Sequence, residues 1–112
     1  MKNLFDIRGR VVVVTGGAGI LGRSICVYLA GQGACVAVLD RDEKAGEALV
    51  GEIRAAGGDA LFFATDVLNR EVLVSNREAI LGAWGQIDIL LNAAGGNMGG
   101  ATIAPDKSFL DL

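Results

Sequence analysis

The chain contains no histidine, which removes both the commonest general base and the commonest neutral metal ligand. Proton transfer would therefore fall to Ser, Tyr, Lys or a carboxylate. Its two cysteines, Cys26 and Cys35, lie in segments expected to be helix and strand. Without histidine partners they make neither a disulfide framework nor a zinc site, and they read as buried free thiols. No metal site is expected. Long apolar runs are also missing. Val11 to Val14 is the longest near the start, too short for a signal-peptide core or a membrane span, and it follows Asp6, Arg8 and Arg10. A cytoplasmic protein with no membrane partner is expected. Nor is there a basic excess: the net charge is −3 and the lysines and arginines are scattered, so nucleic acid has no electrostatic footprint to meet.

What is present describes a folded α/β protein. Of 112 residues 52% are apolar and 21% charged, and 17 are glycine, about twice the usual share, which implies several tight turns in one domain spanning residues 1–112. Val11 to Val14 is a continuous β-branched run, as in a strand covered on both faces. Leu21, Ile25, Tyr28 and Leu29 recur at helical spacing up to Gly31-Gln32-Gly33. A second apolar run, Ala34 to Leu39, ends in Asp40. From Asp42 a second helical stripe follows through Ala45, Ala48, Leu49, Ile53 and Ala56, ending at Gly57-Gly58. Ala60 to Ala64 is a third strand. Asn69 precedes a third helix with Val72, Leu73, Ile80, Leu81 and Trp84, whose stripe is interrupted by Ser75, Asn76 and Arg77 and which stops at Gly85. Ile87 to Leu91 is a fourth strand, a glycine-rich loop runs through Gly100, and Pro105-Asp106 could start another helix. Regular alternation predicts a Rossmann-type doubly wound parallel sheet, β-α-β-α-β-α-β, with strand order 3-2-1-4.

Between the first strand and helix, Gly17, Gly19 and Gly22 satisfy G-x-G-x-x-G. Glycines there let the chain turn sharply and bring the N–H groups of residues 16 to 22, Ile20 and Leu21 included, against a pyrophosphate at the positive end of the helix dipole. Gly22 would also let the helix pack closely on the sheet. Asp40 lies 18 positions after Gly22, where an acid can accept both hydroxyls of an adenosine ribose and repel a 2′-phosphate. NAD is therefore the favoured cofactor, with NADP an alternative left open by Arg23 and Arg41. Helix capping is better assigned to Asp42 than to Asp40. The same stretch reads G-x-x-x-x-G-R-S, one residue from a P-loop, but Arg23 does not replace the lysine that such a loop needs.

Thr15-Gly16 before the glycines, Asp40 after the second strand, Asp66-Val67 after the third and Asn92-Ala93-Ala94-Gly95 after the fourth together resemble the short-chain dehydrogenase/reductase family. The resemblance implies that Asp66 bonds the adenine amino group and Val67 flanks the ring. It further implies that Asn92, Ala93, Ala94 and Gly95 steady the central strand and line the ribose. Two departures stand out: Ala93 replaces a usual Asn, and T-G-x-x-G-x-x-G is the glycine spacing of the family's extended, sugar-nucleotide-modifying branch. Ala94 to Phe109 instead resembles the sugar-acid oxidoreductases of the mannonate/fructuronate and gluconate type.

Family members are about twice this length and carry a catalytic Ser and Tyr-x-x-x-Lys that have no match here. Tyr28 lacks a Lys four residues on and reads as a packed helix residue, while Lys107-Ser108 reads as solvated surface. The expectation, as the resemblance implies, is the cofactor-binding portion, inactive alone, of an oxidoreductase moving hydride between nicotinamide and a secondary alcohol or ketone such as a sugar acid; the alternatives are a non-catalytic nucleotide-binding module or a fragment of an extended-type sugar-nucleotide epimerase or dehydratase. An unpaired fourth-strand edge would make it self-associate, and a homo-oligomer is expected.

Overall fold

The computed structural model describes residues 6–93 and the backbone of 102–104. Strands β1 (Val11–Thr15), β2 (Cys35–Asp40), β3 (Asp59–Ala64) and β4 (Ile89–Asn92) alternate with helices α1 (Ile20–Gly31), α2 (Glu43–Ala55) and α3 (Arg70–Trp84), and a short β5 (Thr102–Ala104) follows. The sheet runs β3-β2-β1-β4-β5. The first four strands are mutually parallel, with Thr15 opposite Leu39 on one side and Asn92 on the other. The expected class and the order 3-2-1-4 are therefore both present.

β5 departs from expectation. It lies antiparallel on β4, Leu91 opposite Ile103, so the β4 edge anticipated as unpaired has a partner. The physical reason lies in chain length. Nine positions separate Asn92 from Thr102, too few for the helical crossover that a parallel neighbour requires but enough for a returning loop. The helix anticipated from Pro105, the Lys107-Ser108 pair, Ala94 and Gly95 lie outside the described residues.

β1 is buried along its length because both faces of the sheet are covered. Val12 and Val14 join Val36, Val38, Leu49 and Ile53 beneath α1 and α2. Val11 and Val13 join Ala37, Leu39, Leu73 and Ile80 beneath α3. At roughly 1.5–3 kcal/mol for each fully buried valine, this run fixes β1 as the centre of the molecule. The change of face between α2 and α3 places the topological switch point between the C-terminal ends of β1 and β4, where α/β sheets open a crevice.

Two helices sit differently on the sheet than their sequence stripes imply. In α1 the inward residues are Gly22, Cys26 and Ala30; Leu21 is half exposed and Tyr28 is 65% exposed. Tyr28 is thus not the packed residue expected. Small side chains let the helix axis approach the valines closely, which leaves room for large ones only at the flanks. In α2 the buried face is Gly46, Leu49, Val50 and Ile53, and Ala48 and Ala56 are exposed. Here Gly46 makes room for Phe62: a Cβ on it would fall 2.1 Å from that ring. Caps follow expectation, with Asp42 accepting from the Ala45 N–H, Asn69 from the Val72 N–H, and Gly85 closing α3 at φ +78°.

Candidate cofactor-binding site

The turn after β1 is fixed by backbone. Gly16 adopts φ +70°, a conformation costly for any residue with a Cβ. Its N–H donates to the Leu39 carbonyl at 2.7 Å, and its own carbonyl accepts from the Gly19 N–H at 3.2 Å. The glycines divide their work in a way the sequence pattern does not show. A Cβ on Gly17 would meet Val38 at 2.9 Å and the Cys26 sulfur at 3.1 Å, so Gly17 is the one that packs against the sheet. A Cβ on Gly22 would lie 2.2 Å from the Gly16 carbonyl oxygen, so Gly22 lets α1 close on the turn rather than on the sheet as expected. Around Gly19 the nearest such atom is at 3.4 Å, again the Gly16 carbonyl oxygen.

α1 begins without a side-chain cap at Gly19 and without an acid in its first turn. The N–H groups of Ile20, Leu21 and Gly22 have no acceptor among the described residues. Such donors at the positive end of a helix favour an anion. Ile20 and Leu21 expose their side chains and would serve through backbone alone. Arg23 points elsewhere, ion-paired with Glu52 of α2. That engages it on the helix surface with a carboxylate of α2.

Asp40 closes the other side of the turn. Its Oδ2 accepts from the Ala18 N–H at 3.0 Å and its Oδ1 from the Asp42 N–H at 2.9 Å. A pocket of about 170 Å³ opens beside it, lined by Gly16, Leu39, Asp40, Arg41, Thr65 and Val67. Residues from the ends of three strands, three of the expected motifs among them, thus converge on one hollow large enough for a purine. A larger hollow of about 280 Å³ lies at the opposite end of α1 and α2, with Val27, Ile53 and Gly58 in its walls. It lies away from the carboxyl ends of the strands, where ligands of open α/β sheets bind, so the smaller one is the candidate.

Asp66 is not among the lining residues. Its Oδ1 accepts from the Leu68 N–H at 3.0 Å, holding the turn before α3. Asn92 sits across β1 from the pocket and accepts a 2.9 Å hydrogen bond from the Thr15 hydroxyl, while the Ala93 N–H donates to the Thr15 carbonyl at 2.9 Å. Two motifs distant in sequence thereby lock the central strands together.

Thr65 and Asn76 were not singled out by the sequence. Thr65 is buried; its hydroxyl donates to the Phe63 carbonyl at 2.7 Å and accepts from Asn76 Nδ2 at 2.8 Å, and its N–H donates to the Asp40 carbonyl at 2.8 Å. Asn76, which reads as an interruption of the α3 stripe, is in fact part of its inward face. It supports the pocket wall from below. The signal was its spacing of three from Leu73 and four from Ile80, which places a polar side chain on a buried face where it must find a partner.

Cys26 is fully buried under the turn, and burial pushes its thiol up from 9.0 to about 12. Cys35 is half-buried rather than buried, and its thiol is raised by burial and then by the charge of Asp59. Among the described residues no cluster of His, Cys, Asp or Glu could hold a metal ion. No described helix is long and apolar enough to cross a membrane.

With that geometry in hand, the relatives are informative. The oxidoreductase UxuB of Bacillus subtilis (strain 168), itself uncharacterized, is 46% identical over 92 residues, covering 82% of this chain and 33% of its own length. A short-chain dehydrogenase/reductase from Burkholderia phymatum, solved in complex with NAD, superposes with a TM-score of 0.75 at 32% identity over 78% of this chain and 31% of its own. A candidate D-mannonate oxidoreductase from Haemophilus influenza with bound NAD gives a TM-score of 0.73 at 30% identity, covering 76% of this chain and 30% of its own. The chain thus spans about a third of the length of these relatives. The short chain dehydrogenase model matches residues 10–111, and the chain belongs to that family.

Proposed function

We propose that this chain supplies the dinucleotide-holding part of a cytoplasmic, NAD-dependent oxidoreductase acting on a secondary alcohol or its ketone. The observation that carries it is the convergence of Gly16, Asp40, Arg41, Thr65 and Val67 on one pocket beside an α1 N-terminus that no side chain caps. The residues fit the cofactor. A Cβ at Gly22 would clash with the Gly16 carbonyl of the turn, the first-turn N–H groups of α1 would meet the diphosphate, and the Asp40 carboxylate faces the turn. Val67 would flank the adenine, Asn92 and Ala93 would keep the strand ends in register, and the roles of Ala94 and Gly95 toward the ribose rest on the family resemblance alone. For Asp66 the reading is a contact to the adenine amino group made by the oxygen that does not hold Leu68. When bound, the nicotinamide supplies hydride acceptance; this chain binds and orients, and the proton-handling Ser, Tyr and Lys would come from elsewhere in the complete enzyme, which would be a homo-oligomer.

NAD is favoured over NADP because a carboxylate at the ribose repels a 2′-phosphate; Arg41, in the pocket wall beside Asp40, is the residue through which NADP would be accommodated. A sugar acid of the mannonate/fructuronate kind is the substrate class proposed, supported by the resemblance of residues 94 to 109 and by the mannonate-type structural neighbour. Calorimetric titration with NAD, NADP and ATP, beside an Asp40→Ala variant, tests the cofactor reading. Expected are binding of NAD, weaker binding of NADP and of ATP, which offers only the adenosine and phosphate part, and a loss of about tenfold or more for NAD in the variant, the scale of one hydrogen bond to a charged group. Equal NAD and NADP affinity in the unmodified chain would overturn the preference.

A further inference from the structure

We propose that Asp40 is also a positioning residue for the glycine turn, setting which backbone donors remain for the diphosphate before any ligand arrives. This rests on the reading of the turn as a dinucleotide cradle. The carboxylate reaches across from the end of β2 and takes the Ala18 N–H at 3.0 Å with one oxygen, while the other takes the Asp42 N–H at 2.9 Å. The turn is already tied to β2 by the Gly16 and Gly17 N–H groups on the Leu39 carbonyl at 2.7 and 3.4 Å, so Asp40 adds a side-chain tie one residue before Gly19, the N-cap of α1. With Ala18 engaged, the donors left at the turn are the N–H groups of Ile20, Leu21 and Gly22 in the first turn of α1. The partition is chemical: one carboxylate satisfies the turn, and the helix end is kept for the incoming anion.

An ionised carboxylate has about four acceptor sites, two on each oxygen. The two backbone bonds use one on each oxygen, so two ribose hydroxyls can be accepted without breaking either. Held from both sides, the carboxylate has little freedom to swing away from a 2′-phosphate. Exclusion of NADP and shaping of the turn are then two results of one geometry, and asparagine cannot reproduce it. Its single oxygen could serve one N–H, and its amide would set a donor against the other.

Amide hydrogen exchange by NMR on the ligand-free chain, comparing the unmodified protein with Asp40→Ala, whose methyl can accept neither N–H, tests this directly. Expected is protection at Ala18 that falls about tenfold or more in the variant, as for loss of a charge-assisted bond. The Val72 amide, capped by Asn69 at the start of α3, should stay unchanged and reports that the fold is intact. Unchanged exchange at Ala18 overturns the proposal whatever the ligand. A second arm titrates both proteins with ADP and with 2′,3′-dideoxy-ADP, which lacks the ribose hydroxyls. If Asp40 shapes the turn, the variant weakens both ligands; if it serves the sugar alone, the dideoxy ligand binds both proteins equally and the proposal fails. Failure of the unmodified chain to bind either nucleotide would instead refute the cradle reading, with the Ala18 exchange still deciding the turn.

Discussion

At Gly22 the difference between hydrogen and methyl decides whether α1 can start where it does. Alanine is the better helix former by about 1 kcal/mol in a helix interior, so Gly22→Ala would be stabilising if space allowed. The added Cβ would lie 2.2 Å from the Gly16 carbonyl oxygen and 2.7 Å from the Gly17 Cα. Both are backbone atoms that cannot rotate aside, and overpacking of this kind costs about 1–3 kcal/mol. At Gly51 of α2 an added methyl would meet nothing within 4 Å. Urea denaturation should therefore show Gly22→Ala destabilised and Gly51→Ala stabilised by about 1 kcal/mol; the same sign for both would contradict the packing. Cys26 makes a pH prediction. Its folded value, about 12, stands above its ordinary 9.0 because burial penalises the thiolate. The folded state thus holds the proton more tightly, the contribution is full below pH 9, and stability falls as pH rises from there toward 12. Relative to Cys26→Ala, the unmodified chain should lose stability across that window, and a parallel pH dependence of the two proteins would refute it. Of these features the sequence showed which positions are glycine and that Asp40 follows the second strand. It did not show that Gly17 meets the sheet while Gly22 meets the turn, since a spacing of glycines does not say which neighbour each must admit.

At the scale of elements, α3 carries the clearest lesson about reading a stripe. An apolar count treats Asn76 as a flaw, yet it faces inward with Leu73 and Ile80 and donates to the Thr65 hydroxyl at 2.8 Å. Pattern reading assigns faces by hydrophobicity, and a buried polar pair violates that rule in both partners at once. In α1 the stripe was half right: Ile25 and Leu29 pack against the core, but the fully buried face is the small Gly22, Cys26 and Ala30, and Leu21 and Tyr28 lie outward. The capping residues were legible, since Asp42 and Asn69 need only the adjacent N–H groups and no distant partner. The Asn76 to Thr65 link gives a quantitative expectation. Asn76→Ala leaves a buried hydroxyl without its donor and should cost about 1–3 kcal/mol, whereas replacing both members with apolar groups of similar shape can be nearly neutral. A double-mutant cycle with Asn76→Leu and Thr65→Val should therefore show strong coupling, the double variant recovering much of the stability lost in either single one. Additive losses would mean that the two side chains do not act as a pair.

For the whole molecule, alternation of strand and helix was enough to predict a doubly wound parallel sheet with right-handed crossovers, and the Rossmann order 3-2-1-4 expected of it is the one observed. The fifth strand was hidden for a reason of the same kind. Three residues, Thr102–Ala104, are too few to show a period, and their pairing depends on the free side of β4 rather than on their own composition. That pairing has a consequence for association. Without β5, β4 would present a row of unsatisfied N–H and C=O groups beside Leu90 and Leu91, both buried, the kind of edge that recruits another chain. Neighbouring residues in a strand aim their N–H groups in opposite directions, so proline at Thr102 and proline at Ile103 form a matched pair. One of them removes an N–H directed at β4 and the other removes one directed away, and proline lacks the donor that a ladder requires. Sedimentation velocity over a concentration series should show one variant shifted toward larger species and the other close to the unmodified chain. Equal behaviour of both variants, shifted or not, would mean that the ladder bonds of β5 do not protect this edge.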